Sequence, residues 1–219
     1  MKLNHDETKR EIESIRNEIR SIANEAIDFN NKKGEIINNE LMSDFGKAEQ
    51  RRVIEEKFKS VCLAINDNIQ ESLDRILEIE TKNNAMFDVA DNELQASIQL
   101  IKSVNGKLET ETIDNIVNSF KGNKQALIML KSIFEAYDID TKYIDKYIID
   151  IDGFIGERKE LVYSLTADAN TTTHKMQKLC NDLYRLAENL GIQFSEEEKD
   201  TGLSLEEYYD SMARSAMGL

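Results

Sequence analysis

Between residues 11 and 30 the apolar side chains Ile12, Ile15, Ile19, Ile22, Ala26 and Phe29 alternate steps of three and four. That spacing places them on one stripe of an α-helix, at successive a and d positions of a heptad. A second stripe runs through residues 47–81 as Ile54, Phe58, Val61, Cys62, Ile65, Ile69, Leu73, Ile76 and Leu77. It predicts a rod about 50 Å long at 1.5 Å per residue. A third occupies residues 157–190, where Val162, Leu165, Ala169, Thr172, Met176, Leu179, Leu183, Leu186 and Leu190 predict a single long helix closed by Gly191. Leu161, Cys180 and Ala187 widen that face, so the helix is expected to pack against at least two others.

Between the stripes, the run Asn30-Asn31-Lys32-Lys33-Gly34 predicts the end of the first helix, with a short helix over residues 35–45 to follow. Lys82-Asn83-Asn84 marks a break or kink before the pattern resumes and runs to Gly106. Three short helices are predicted in the middle: residues 112–120 ending at Gly122, 124–137 ending at Asp138, and 141–151 ending near Gly153. Ser195 with Glu198 and Ser204 with Glu207 have the spacing of a capping box. A terminal helix then carries Leu205, Tyr208, Tyr209, Met212, Ala216 and Met217 on one face, as a docking element would. The expected fold is all-α, an elongated helical bundle with long coiled-coil-like helices. Its blocks are a long-helix region over residues 1–105, a short-helix acidic middle over 106–156, and a long helix with its docking helix over 157–219.

Composition supports helices and removes several chemistries. The 219 residues contain no proline and only 9 glycines, which suits uninterrupted helices and leaves little material for phosphate-cradling loops. Acidic residues outnumber basic ones by 42 to 28, a net charge of −14, and residues 62–152 hold 17 acids against 9 bases. Direct nucleic-acid binding is therefore not expected, since phosphate neutralisation needs basic density. Cys62 and Cys180 lie far apart without histidine or cysteine at ligand spacing, so neither zinc nor a disulfide framework is indicated. His5 and His174 are isolated in sequence and suggest no catalytic group. Asp150-Ile151-Asp152-Gly153 has the look of part of a calcium loop, but Ile148 and Lys159 would occupy its two essential carboxylate positions. No catalytic, cofactor-binding or metal residue is predicted. The charged first twenty residues are unlike a secretion signal, and the longest apolar runs have five residues against the roughly 20 that span a bilayer. The expected setting is soluble: the cytoplasm of a bacterial host, or a virion.

Function is then expected to lie in surfaces. The acidic composition and the heptad pattern, over about half the chain, resemble phage or phage-satellite capsid-scaffolding and virion-assembly proteins. No family motif accompanies that resemblance, so no residue role is carried over. It implies a non-enzymatic scaffold, a homo-oligomer (dimer or trimer) whose partners are coat or other structural subunits. The candidate interface residues are the heptad seams Ile12, Ile15, Ile19, Ile22, Phe29, Val162, Leu165, Met176, Leu179, Leu183 and Leu186, with Tyr208, Tyr209 and Met212 of the terminal helix. Glu11 and Arg16 occupy g and e positions suited to an interhelical pair. The alternative is an acidic inhibitor or anti-defence protein that occupies a basic groove of a host enzyme with residues 62–152. Salt separates the two, because an apolar seam persists where a charge-driven contact weakens.

Overall fold

A computed structural model describes residues 5–86, 88, 90–164 and 169–199, without the side chains of 169–174 and 196. All regular structure among them is helical, as the periodicity predicts. The elements are α1 (Asp6–Asn38), α2 (Asp44–Ala85), α3 (Asn92–Ser103), α4 (Thr110–Ser119), α5 (Lys124–Ala136), α6 (Lys142–Asp145), α7 (Ile151–Tyr163), α8 (Ala169–Asn189) and α9 (Glu196–Lys199). At 1.5 Å per residue α2 is about 63 Å long. The chain forms two compact units that interleave in sequence and do not follow consecutive blocks: one holds residues 1–11, 74–156 and 183–193, the other 12–73, 157–182 and 194–219.

In the second unit four helices run alternately up and down. Asn68 donates to Glu18 Oε1 at 3.0 Å, and Phe29 stacks on Phe58 with ring centroids 4.9 Å apart, which fixes α1 and α2 as an antiparallel hairpin. Asn66 and Gln70 of α2 donate to the carbonyls of Val162 and Lys159, at 3.0 and 3.1 Å, so α7 runs antiparallel to α2. The Arg158 guanidinium grips Asp182 Oδ2 at 2.8 and 3.1 Å, and Lys175 Nζ donates to the Ser164 carbonyl, which turns α8 back along α7. The stripes of these helices, including Ile12, Ile15, Ile19, Ile22, Ile65, Ile69, Leu73, Val162, Met176 and Leu179, are buried inside the chain. Each such side chain contributes roughly 1.5–3 kcal/mol on burial.

The first unit is a cluster of shorter helices. Leu94, Ile98 and Ile101 of α3, Ile113, Ile116 and Val117 of α4, Leu127, Leu130 and Phe134 of α5, and Ile144 of α6 form one core. Asp91 caps α3 by accepting from the amides of Glu93 and Leu94, and Asn123 caps α5 through Ala126. Gly191 ends α8 as predicted: its φ of 77° is the left-handed conformation, and Ile192 N then reaches Ala187 O at 2.8 Å.

Three expectations are corrected. Gly34 does not stop the first helix, and residues 35–45 form no helix of their own; α1 continues to Asn38 with Gly34 buried inside it. A glycine within a helix costs about 1 kcal/mol, less than the burial of Ile36 beyond it returns. The predicted helix at 157–190 is two helices, α7 and α8, whose stripes share one three-four phase although the chain reverses between them. Nor does Gly153 end a helix. It lies in the first turn of α7, close enough to Asp150 that a Cβ there would sit 2.6 Å from Asp150 Oδ2. The segment at 141–151 shortens accordingly to the single turn of α6.

Two stability measurements check this packing. Asp182→Ala leaves the mostly buried Arg158 without its interhelical carboxylate, and urea unfolding should show a loss of about 2–3 kcal/mol. Ile15→Asp places a charge in a fully buried position and should abolish the helical circular dichroism of the second unit, whatever the protein concentration.

Candidate functional site

Polar groups are buried together at one place in the first unit. Glu80, near the end of α2, is fully buried, as is Thr8 in the first turns of α1. Thr8 Oγ1 donates to Glu80 Oε1 at 2.5 Å, and His5 Nδ1 lies 3.0 Å from the same oxygen. Asn83 Nδ2 adds a longer contact at 3.5 Å. The sequence explains the convergence. His5 and Thr8 extend the three-four stripe of Ile12, Ile15 and Ile19 backwards, and Glu80 and Asn83 extend that of Ile69, Leu73 and Ile76 forwards. Core positions on both helices thus turn polar at the same level. Glu11 pairs there with Arg75 at 3.5 Å, where an e–g partner had been expected.

A carboxylate that holds an imidazole by Nδ1 is the arrangement that orients a general base. Here the other nitrogen is covered. His5 Nε2 is buried without a hydrogen-bond partner, against Gly122, whose φ is +80° and where a Cβ would come within 2.4 Å of Nε2 and 2.8 Å of the Leu190 carbonyl. The cavity beside it, about 770 Å³, is lined by His5, Asp91, Asn115, Asn118 and Lys121 among others. Asp91 and Asn123 on its wall are engaged in capping α3 and α5. The arrangement ties the start of α1 to α2 and brings it against the turn before α5.

The other concentration of unusual side chains is the end of the α1–α2 hairpin. Leu41 is 100% exposed, Phe45 82% and Val53 54%. Ser43 starts α2, its hydroxyl accepting from Gly46 N at 3.2 Å, and Lys47 Nζ ties back to the Ile37 carbonyl at 2.8 Å. Below them the half-buried Phe29–Phe58 stack floors an apolar notch of about 130 Å³, walled by Glu25, Asp28, Lys32, Ile54 and Lys57. Lys32 pairs with Asp28 at 2.5 Å; that hydrogen bond and the neighbouring carboxylates raise the lysine pKa. Residues 27–60 carry seven acidic and seven basic side chains, so this end is neutral in a chain of net charge −14.

The predicted seam residues Ile12, Ile15, Ile19, Ile22, Val162, Met176, Leu179, Leu183 and Leu186 are all buried within the single chain. As an interface between chains these seams are already taken: the chain's own helices cover them, and only Phe29 remains half-open at the notch. Leu165, Tyr208, Tyr209 and Met212 lie outside the described residues, as does the side chain of His174. Arg16, expected in an interhelical ion pair, donates instead to the Glu198 carbonyl of α9. Sequence reasoning missed Leu41 and Phe45, because an apolar residue beside a turn carries no periodicity. It also missed Thr8 and Glu80, whose signal was their phase with the stripes.

Both cysteines are free and buried. Burial pushes the Cys62 thiol up to about 11 and Cys180 to about 12. Among the described residues no group of three or more His, Cys, Asp or Glu side chains is placed to hold a metal, and no helix is long and apolar enough to cross a membrane. The fold defines the class, an all-α helical-bundle protein. No family model matches the chain, and no curated protein or solved structure is significantly similar to it.

Two outcomes follow from these environments. Iodoacetamide at pH 8 should leave Cys62 and Cys180 unlabelled in the folded chain and label both in urea, because only the thiolate reacts and burial disfavours it. Glu80→Leu removes the acceptor shared by Thr8 and His5 and should cost about 2–3 kcal/mol in denaturant unfolding. Glu80→Gln, which keeps a carbonyl acceptor, should cost less.

Proposed function

We propose that this is a non-enzymatic assembly protein that associates with a second copy of itself through the α1–α2 hairpin end and thereby organises partner subunits. The observation that carries the reading is the exposed set Leu41, Phe45 and Val53 at a stretch of zero net charge. Isolated exposed apolar residues are ordinary on protein surfaces, and Leu63, Met86 and Leu100 are of that kind here. Here three lie within thirteen positions at the hairpin end. Charge favours a second copy as the occupant. Two chains of net charge −14 repel overall, and the hairpin end, with seven acidic and seven basic side chains over residues 27–60, adds no net charge to that repulsion. The resemblance in composition to phage or phage-satellite scaffolding proteins points to coat or other virion subunits as the organised partners.

Sedimentation velocity over a concentration series tests this. The wild type should associate, the association should persist in high salt, and Leu41→Asp with Phe45→Asp should weaken it at least about tenfold with unchanged circular dichroism. A wild type that stays monomeric throughout, or a variant that associates as well as the wild type, would remove the reading.

A further inference from the structure

The turn that ends α3 places an asparagine directly before a glycine, the one Asn-Gly pair in the chain. We propose that Asn105 is a self-modification site, converted without an enzyme to aspartate and isoaspartate by ring closure onto the Gly106 nitrogen, and that the closed α3 cap sets how fast this happens. The site is independent of the self-association proposed above.

Three observations carry this. The first is that the fold itself selects the pair. Asn105 N donates to the Lys102 carbonyl at 3.1 Å and Gly106 N to the Ile101 carbonyl at 2.9 Å, the two bonds of a Schellman ending. Such an ending needs a left-handed residue just past the helix, and Asn105 supplies it with a φ of 50°. After glycine, asparagine is the residue that adopts this conformation most readily. The next position has a φ of 74°, and a Cβ there would lie 2.6 Å from the Tyr137 carbonyl oxygen, so only glycine fits. Stability of the turn thus brings together the two residues whose junction is chemically weakest.

The second observation is reactivity. Asparagine is thermally labile, and a following glycine has no Cβ to obstruct the approach of its nitrogen to the asparagine Cγ. The Asn105 side chain is exposed, and its carboxamide makes no hydrogen bond among the described residues. In the reaction the Gly106 nitrogen gives up its proton and bonds to Asn105 Cγ. The Cγ–Nδ2 bond breaks, ammonia leaves with a proton, and a five-membered succinimide remains. One water then opens the ring. Attack at Cγ gives aspartate; attack at the backbone carbonyl carbon gives isoaspartate, in which the chain runs through the side chain.

The third is a gate. The nitrogen must lose its proton to attack, and in the closed cap that proton is donated to the carbonyl of Ile101, whose side chain is fully buried in the core of the first unit. Ring closure therefore waits for the end of α3 to open locally. Its products undo the cap. Isoaspartate inserts an extra backbone carbon where Gly106 already packs against Tyr137, and either product places a carboxylate at the negative end of the α3 dipole.

Peptide mapping of the full-length chain by mass spectrometry, during prolonged incubation at pH 8 in buffer and in urea, tests the site and the gate. In urea Asn105 should be the first asparagine converted, to a mixture in which electron-transfer fragmentation distinguishes isoaspartate from aspartate. In buffer its conversion should be at least about tenfold slower, as for a group exposed by local opening. A different asparagine leading in urea would overturn the site, and equal rates in the two conditions would overturn the gate. Hydrogen exchange checks the consequence. Peptides from the end of α3 that carry isoaspartate separate chromatographically from unconverted ones, and in the native chain they should exchange about tenfold faster. Equal exchange in the two would overturn the claim that conversion opens the cap.

Discussion

Burial of the isoleucine stripe on α1 is the constraint from which the rest of the molecule follows. Ile12, Ile15, Ile19 and Ile22 have 0–1% of their surface left in water, and the covering helices α2, α7 and α8 belong to the same chain. Four helices that alternate in direction close a heptad seam without a partner, so the sticky part of the sequence is spent on folding. Among the described residues, the exposed Leu41, Phe45 and Val53 lie instead at the hairpin end.

The same continuity explains the buried polar knot. The α1 stripe runs without a change of phase from isoleucines into Thr8 and His5, and that of α2 runs into Glu80. Carboxylate, hydroxyl and imidazole meet because the helices carry them to the same level, and each removes a cost the others would otherwise bear. Apolar contacts tolerate sliding by a turn. A hydroxyl that must meet a carboxylate at 2.5 Å does not, so the knot fixes the register of the hairpin, as buried polar residues do in coiled coils.

Much of this was legible in the sequence. The helical class, the α2 rod, the short helices α4 and α5 and the Gly191 stop follow from three-four spacing and from capping residues. What was not legible is instructive in physical terms. Periodicity reports that a face is apolar but not what covers it, so stripes that close within one chain look the same as stripes that join two. It is also blind to direction: the residues on either side of the α7–α8 reversal keep one phase, and a single helix was expected where there are two. Gly34 shows the limit of local propensity, since the packing of Ile36 decides whether the helix goes on. The hairpin-end patch gave no periodic signal at all, because Leu41 lies in a turn and Phe45 faces outward from the first turn of α2.

The cancellation of charge at residues 27–60 bears on how large an assembly can become. Under the proposed self-association, each added member would use up adhesive surface at the hairpin end while net charge of one sign accumulates around it, and growth would halt at small, countable clusters instead of running on to a precipitate.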